Sequence, residues 1–249
     1  MVINCLTTFP EFVGSIREYS MVRRAYEKNL VDIRTYDLRD YSLDPNRRTD
    51  DYPYGGGQGM LMTCQPIVDA LQDVKEKGKV IYLSPHGQTL NQEKLKSLAT
   101  LSEITILCGH YEGVDQRVID HYVDEEISVG DYVLTGGEIP AMLLIDGIVR
   151  LLPGLLRTET SYEEESFYHG LLEHSQYTRP YNFRGLKVPD ILLSGHHEKV
   201  KEFNLDNAII QTLKRRPDLI DKILNDVLTD ETIKERIQKL RKEDPNESY

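Results

Sequence analysis

The strongest constraint on the fold is an alternation that runs through the first 150 residues. Short β-branched runs at 2–9, 31–36, 80–83, 104–108 and 126–129 are separated by longer stretches of helical period at 11–29, 66–74, 92–99, 115–121 and 138–149. Strand–helix–strand units of this kind place their strands in parallel, and a parallel sheet needs both faces covered. The sequence therefore predicts an α/β domain with a parallel sheet and helices on both faces. After Ser194 the pattern changes to helical periods only, at 197–214, 217–226 and 229–242. Pro217 stands where a first helical position would be, and Thr229-Asp230-Glu231 reads as a start signal. Between the two patterns, residues 157–170 are polar, acidic and without apolar period, which predicts a mobile linker. The expected organisation is a domain over 1–156, the linker, and a small all-helical domain over 171–249.

Charge narrows the choice of partners. The chain carries 30 Lys and Arg against 41 Asp and Glu, a net charge of −11. That argues against coating nucleic acid by bulk electrostatics, and DNA is not an expected partner. Yet residues 171–216 hold 8 basic against 5 acidic side chains, an island able to grip one polyanion locally. The longest apolar candidate, 141–156, is cut by Asp146 and Arg150, so a membrane span is not expected. The first residues have neither a basic start nor a long apolar run, and the chain has three cysteines that match no zinc spacing. Both features predict a reducing, cytoplasmic setting.

Three predicted strands run into loops that contain Gly or Pro: Ser84-Pro85-His86-Gly87, Gly109-His110-Tyr111-Glu112-Gly113, and the stretch from Gly130 to Gly137. Ligands of parallel sheets bind beyond the carboxyl ends of the strands, and glycine lets the backbone approach them. Three such loops on one edge predict a pocket. A nucleoside triphosphate is a poor candidate for it, because Gly55-Gly56-Gly57-Gln58-Gly59 lacks the Lys-Ser/Thr of a phosphate loop. No G-x-G-x-x-G motif opens a helix after the first strand either.

Six ordered blocks carry a resemblance: Asp50-Asp51-Tyr52-Pro53-Tyr54-Gly55-Gly56-Gly57, Leu83-Ser84-Pro85, Tyr111-Glu112-Gly113, Gly130-Asp131-Tyr132-Val133-Leu134-Thr135-Gly136-Gly137-Glu138, Tyr177-Thr178-Arg179-Pro180 and Ser194-Gly195-His196-His197. In order and spacing, from residue 1 to about 220, the chain resembles the bacterial tRNA (guanine-N1)-methyltransferases of the TrmD family. The resemblance implies a SPOUT-type, trefoil-knotted parallel sheet that holds S-adenosylmethionine, a homodimer, and tRNA gripped by both subunits. It implies methyl transfer to N1 of guanosine-37. Another RNA target for the same fold, or a non-catalytic RNA-binding protein, are the alternatives.

Roles carried over from the resemblance follow the chemistry. Pro85, Gly109, Tyr111, Glu112, Val129, Gly130, Asp131, Tyr132, Val133, Leu134, Gly136, Gly137 and Pro140 would line the donor pocket. Guanine N1 keeps its proton at neutral pH, so a carboxylate must take it while a cation meets the charge growing on O6. Glu165 would be the base and Arg150 the O6 partner, with Glu163 and Glu164 as neighbours able to substitute. The family has Asp at the position of Glu165, Arg at His110, and His at Asn46 and Gln176. Ser161 would help hold the target base, and Tyr177, Arg179, Lys214 and Arg215 would contact the RNA. The resemblance also implies magnesium, with Glu112 and Glu165 as contacts, although no metal-ligand spacing shows it.

Overall fold

The computed structural model describes residues 1–156, 165–226 and 230–243. The chain divides into two compact units, 1–159 and 160–249. The expected linker falls largely on 157–164, outside the described residues.

In the first unit, β1 (Val2–Thr7), β2 (Asp32–Asp37), β5 (Lys79–Thr89), β6 (Glu103–Leu107) and β7 (Glu125–Ser128) form one sheet in the order β2-β1-β6-β5-β7. Every pairing in it is parallel. Side chains alternate across the sheet, as a period of two requires. Ile3, Ile81 and Ile106 enter one core, and Leu6, Tyr82 and Leu107 the other. The first core is closed by α1 (Pro10–Gly14), α2 (Ser20–Glu27), α4 (Gln92–Ala99) and α6 (Glu138–Val149) through Val13, Ala25, Leu98 and Leu144. The second is closed by α3 (Cys64–Asp73) and α5 (Gln116–Tyr122) through Ile67, Ala70 and Val118. The parallel sheet with helices on both faces is thus as the alternation predicts.

Three details differ from the sequence reading. The single helix expected over 11–29 is broken: a 3-10 turn spans Ser15–Glu18, and Tyr19 is extended at φ −127°, ψ 150°. Arg17 folds back there, its Nε donating to the Gly14 carbonyl at 3.0 Å and its Nη1 to the Ile33 carbonyl of β2 at 3.0 Å. The third strand of the sheet runs on well beyond residue 83. Leu83 and Gln88 both pair with Ile127, with an irregularity between them. Residues 85, 86, 88 and 89 are exposed, so no apolar period marks this extension. A two-stranded antiparallel pair also joins β3 (Asp50–Asp51) to β4 (Leu61–Met62), and the glycine-rich loop is the connection between them.

The second unit contains α7 (His197–Arg215), α8 (Pro217–Asn225) and α9 (Glu231–Glu243) around Ile209, Leu213, Ile220, Ile223 and Ile237. It is not purely helical. A hairpin of β8 (Asn182–Phe183) and β9 (Leu186–Lys187) precedes the helices. Its strands are two residues each and exposed, too short to leave a periodic signal.

Candidate functional site

A cavity of about 500 Å³ opens beyond the carboxyl ends of β6 and β7, against the irregular middle of β5 at residues 82–86. Two glycines set its shape. The Gly137 N–H donates to the Gly109 carbonyl at 2.7 Å, which draws the loop before α6 onto the loop after β6. A Cβ at Gly137 would lie 2.8 Å from Cys108 Cα and 2.9 Å from Gly109 N, so only glycine allows this approach. His110 and Gly136 continue the contact as an antiparallel bridge. On the other side, Glu112 N–H donates to the Met60 carbonyl at 3.0 Å and Met62 N–H to the Gly113 carbonyl at 2.9 Å. The glycine-rich connection is thereby anchored beside the Tyr111-Glu112-Gly113 loop. Gly59 sits against the Glu112 side chain so closely that any Cβ would strike it.

Of the thirteen pocket residues expected from the sequence, Pro85, Gly109, Tyr111, Glu112, Val129, Gly130, Tyr132, Val133, Leu134, Gly136, Gly137 and Pro140 line this cavity. Asp131 belongs to the same loop but is exposed and is not part of the lining. Sequence reasoning missed Leu61, Tyr82, Gln116, Ile119 and Ile127, which are among the other residues of the wall. Tyr82 and Ile127 read in sequence only as strand residues, and Ile119 only as one face of a short helix.

The electrostatics of the wall are uneven. Burial, with the Glu126 carboxylate nearby, raises the Tyr82 phenol above its ordinary value and keeps it protonated. Burial and Asp50 raise Tyr111 likewise. Beneath the lining lies Glu138, only 4% exposed. Its Oε1 accepts from Thr7 Oγ1 at 2.7 Å, and its Oε2 stands 3.8 Å from His110 Nδ1. The His110 ring packs against Phe9 and Tyr111, with centroids 5.1 and 5.0 Å apart.

The other expected site residues fall in both units. Arg150 is the C-cap of α6, half-buried, its N–H donating to the Asp146 carbonyl at 3.2 Å. It is not part of the cavity lining. Glu165 belongs to the second unit, half-buried, and its carbonyl accepts from Tyr168 N–H at 3.3 Å. Ser161, Glu163 and Glu164 lie outside the described residues. Tyr177 and Arg179 are exposed ahead of the hairpin, and Lys214 and Arg215 are exposed in the last turn of α7. Among the described residues no group of three or more His, Cys, Asp or Glu could hold a metal ion, and no helix is long and apolar enough to cross a membrane.

Comparison with known proteins covers both units. Residues 1–222 match the profile of the family described as tRNA (Guanine-1)-methyltransferase TrmD. A protein of Ruminiclostridium cellulolyticum named tRNA (guanine-N(1)-)-methyltransferase is 48% identical over 229 residues, 90% of this chain and 98% of that protein. A protein of the same name from Clostridium beijerinckii is 53% identical over 236 residues, 94% of this chain and 97% of the other. A third, from Clostridium acetobutylicum, is 52% identical over 224 residues, 89% and 92% of the two chains. With the match running through the cavity loops and on into the helices of the second unit, the chain belongs to the tRNA (guanine-1)-methyltransferase TrmD family.

Proposed function

We propose that the chain moves a methyl group from S-adenosylmethionine to N1 of guanosine-37 in tRNA. The reading rests on one observation: relatives of that name share about half of their residues with this chain along nearly its whole length. SPOUT architecture follows from the family and agrees with the parallel sheet. A trefoil knot in residues 1–156 is part of the proposal. Its support is the match to the family model over residues 1–222.

The cavity suits an adenosyl sulfonium. Leu134, Ile119 and Val129 offer apolar walls, and Gly109 and Gly137 leave backbone within reach of a purine edge. When bound, the donor supplies an electrophilic methyl group on a positively charged sulfur. Pro85, Tyr111, Val133, Pro140 and the glycines hold and orient it, which is most of what an in-line displacement requires. Glu112 places its carboxylate at the mouth of the cavity, where it favours the cation. Glu165 takes the N1 proton, and Arg150 meets the charge that develops on O6. Ser161 and Tyr177 hold the displaced base, and Arg179, Lys214 and Arg215 bind phosphates. Because the described residues offer no metal cluster, no step is assigned to magnesium.

A homodimer is also proposed. Phe12 on α1 and Ile139 and Leu143 on α6, with Phe9 beside them, are 45–52% exposed on neighbouring helices, an apolar patch that a second copy would cover. A cytoplasmic location accompanies the tRNA substrate.

The test is incubation with S-adenosylmethionine and unmodified tRNA bearing guanosine at 37, with nucleoside mass spectrometry as readout. Formation of N1-methylguanosine, with a loss of about 100-fold or more in Glu165→Ala, is the expected result. Product from both proteins moves the base elsewhere. No product from the parent, with the donor still bound, overturns the activity.

A further inference from the structure

The hairpin of β8 and β9 carries more exposed apolar surface than its role in folding explains. Phe183 is 56% exposed and its cross-strand partner Leu186 is 75% exposed. The turn between them is Arg184-Gly185, with φ of 53° and 90°. Positive φ at both central positions makes this a primed hairpin turn, which normally takes Asn-Gly or Asp-Gly. Arginine in the left-handed region carries a conformational cost that asparagine or glycine there would largely avoid. The strained position sets the Arg184 guanidinium over the Phe183 ring, 5.2 Å from its centroid. The hairpin is held in shape from below. Asn182 Oδ1 accepts from Gly185 N–H at 2.8 Å, Val188 N–H donates to the Tyr181 carbonyl at 3.0 Å, and Tyr181 Oη donates to Asp190 Oδ1 at 2.8 Å. Charge points to the ligand. Between Glu173 and Asp190 the chain has three cations, Arg179, Arg184 and Lys187, and no acid, within a protein of net charge −11.

We propose that this hairpin is a stacking platform for an unpaired nucleotide of the tRNA, with Phe183 and Arg184 forming the surface on which a base lies and Lys187 meeting the adjoining phosphate. Exposed aromatic rings, guanidinium planes and nearby cations are how proteins hold unpaired bases without reading their edges. Arg184 stands over the aromatic itself, and Arg179 and Lys187 add positive charge to the same stretch of chain. The inference rests on tRNA being the substrate and adds a contact distinct from the residues assigned to the reaction.

The test uses the full chain and an unmodified tRNA transcript, with dissociation constants measured across a range of salt concentrations. Phe183→Ala should weaken binding about ten-fold with an unchanged salt slope, and Phe183→Trp should restore it. Arg184→Ala should weaken binding and lower the slope by about one counterion. Donor binding and thermal unfolding should match the parent in all three, which excludes misfolding. Equal binding by Phe183→Ala and the parent overturns the stacking role. So does a loss in Arg184→Ala alone, which would be a phosphate contact only, or a loss of dimer in Phe183→Ala, which would make the hairpin a protein interface. A parent that binds and methylates tRNA while the Phe183 variant binds normally refutes this inference alone. A parent that makes no N1-methylguanosine refutes the activity instead, and the binding comparison still decides the platform.

Discussion

Thr7 Oγ1 donates to Glu138 Oε1 at 2.7 Å across 131 residues of sequence, joining the carboxyl end of β1 to the first turn of α6. Both residues are buried, Thr7 completely. Thr7 Oγ1 in turn accepts from Phe9 N–H at 2.9 Å, so one hydroxyl fixes the exit of β1 and the carboxylate beneath the cavity. A buried carboxylate at a helix N-terminus is favoured by the helix dipole but still needs donors. Removing the hydroxyl in Thr7→Val should therefore cost about 1–3 kcal/mol. Glu138→Gln, whose amide oxygen still accepts from Thr7, should cost less than Glu138→Ala. Urea unfolding gives the stabilities. Calorimetric titration with S-adenosylmethionine should show weaker donor binding in the same rank order, because Glu138 lies directly after Gly136-Gly137 of the cavity wall. Indifference of donor binding to all three would separate the pair from the site.

Glycines at two places should differ in what their substitution does to donor binding. Gly137→Ala puts a methyl group within 3 Å of the Cys108 and Gly109 backbone, which cannot swing aside. The change should destabilise the first unit by about 1–3 kcal/mol and abolish tight donor binding. Gly56→Ala meets nothing within 4 Å and suffers only from its φ of +78°. Its cost should stay near 1–2 kcal/mol, with donor binding close to the parent. Thermal unfolding with and without donor reads both effects.

How much of this was legible in the sequence follows from which forces left a periodic trace. The strand at 104–108 is readable as a short apolar run, buried on both faces, and the helix at 138–149 because its buried residues recur at 141, 144, 145, 148 and 149. The three loops pointed to a cavity because glycine and proline are local signals, and twelve of thirteen expected residues line it. Asp131 stands outside the lining, and a loop has no period to say which side chains turn inward. The break at Tyr19 was hidden because its cause is Arg17 bonding to Ile33, a contact between elements. Phe12, Ile16, Met21 and Ala25 nevertheless contained a warning, since the step from 16 to 21 is too long for one helical face. Glu138 was quoted in a motif but given no role, since nothing local announces that Thr7 will meet it.

The second unit has a core small enough that single residues matter. Ile237 of α9 is fully buried against Ile209, Leu213, Ile220 and Ile223. It lies beyond residue 222, where the family match ends. Ile237→Ala should cost about 2–5 kcal/mol, a large part of what so small a unit can supply. The expected phenotype is a lower unfolding temperature for the second unit and weaker tRNA binding at 37 °C, with donor affinity unchanged. Loss of donor affinity in parallel would mean that the two units unfold together.

Acid should lower the stability of the first unit through Asp115, the N-cap of α5. Its Oδ1 accepts from Arg117 N–H at 3.0 Å and Arg117 Nε at 2.9 Å, and its Oδ2 from Arg117 Nη2 at 2.7 Å. These bonds, led by the guanidinium, hold the carboxyl well below the usual carboxylate range against a smaller opposing effect of burial. A carboxyl lowered in the folded state contributes stability in full above its unfolded value of about 4, and loses it as pH falls through the folded value. Asp115→Ala removes both the cap and the titration, at a cost of about 1 kcal/mol or more at pH 7. The gap between parent and variant should narrow when urea unfolding is repeated at pH 3. Because the folded carboxyl stays ionised at pH 3, the Arg117 bonds persist in the folded protein and donor binding at the Gln116 and Ile119 wall should not change through Asp115 over this interval. A gap of equal size at pH 7 and pH 3 would show that Asp115 acts through shape and not through its charge.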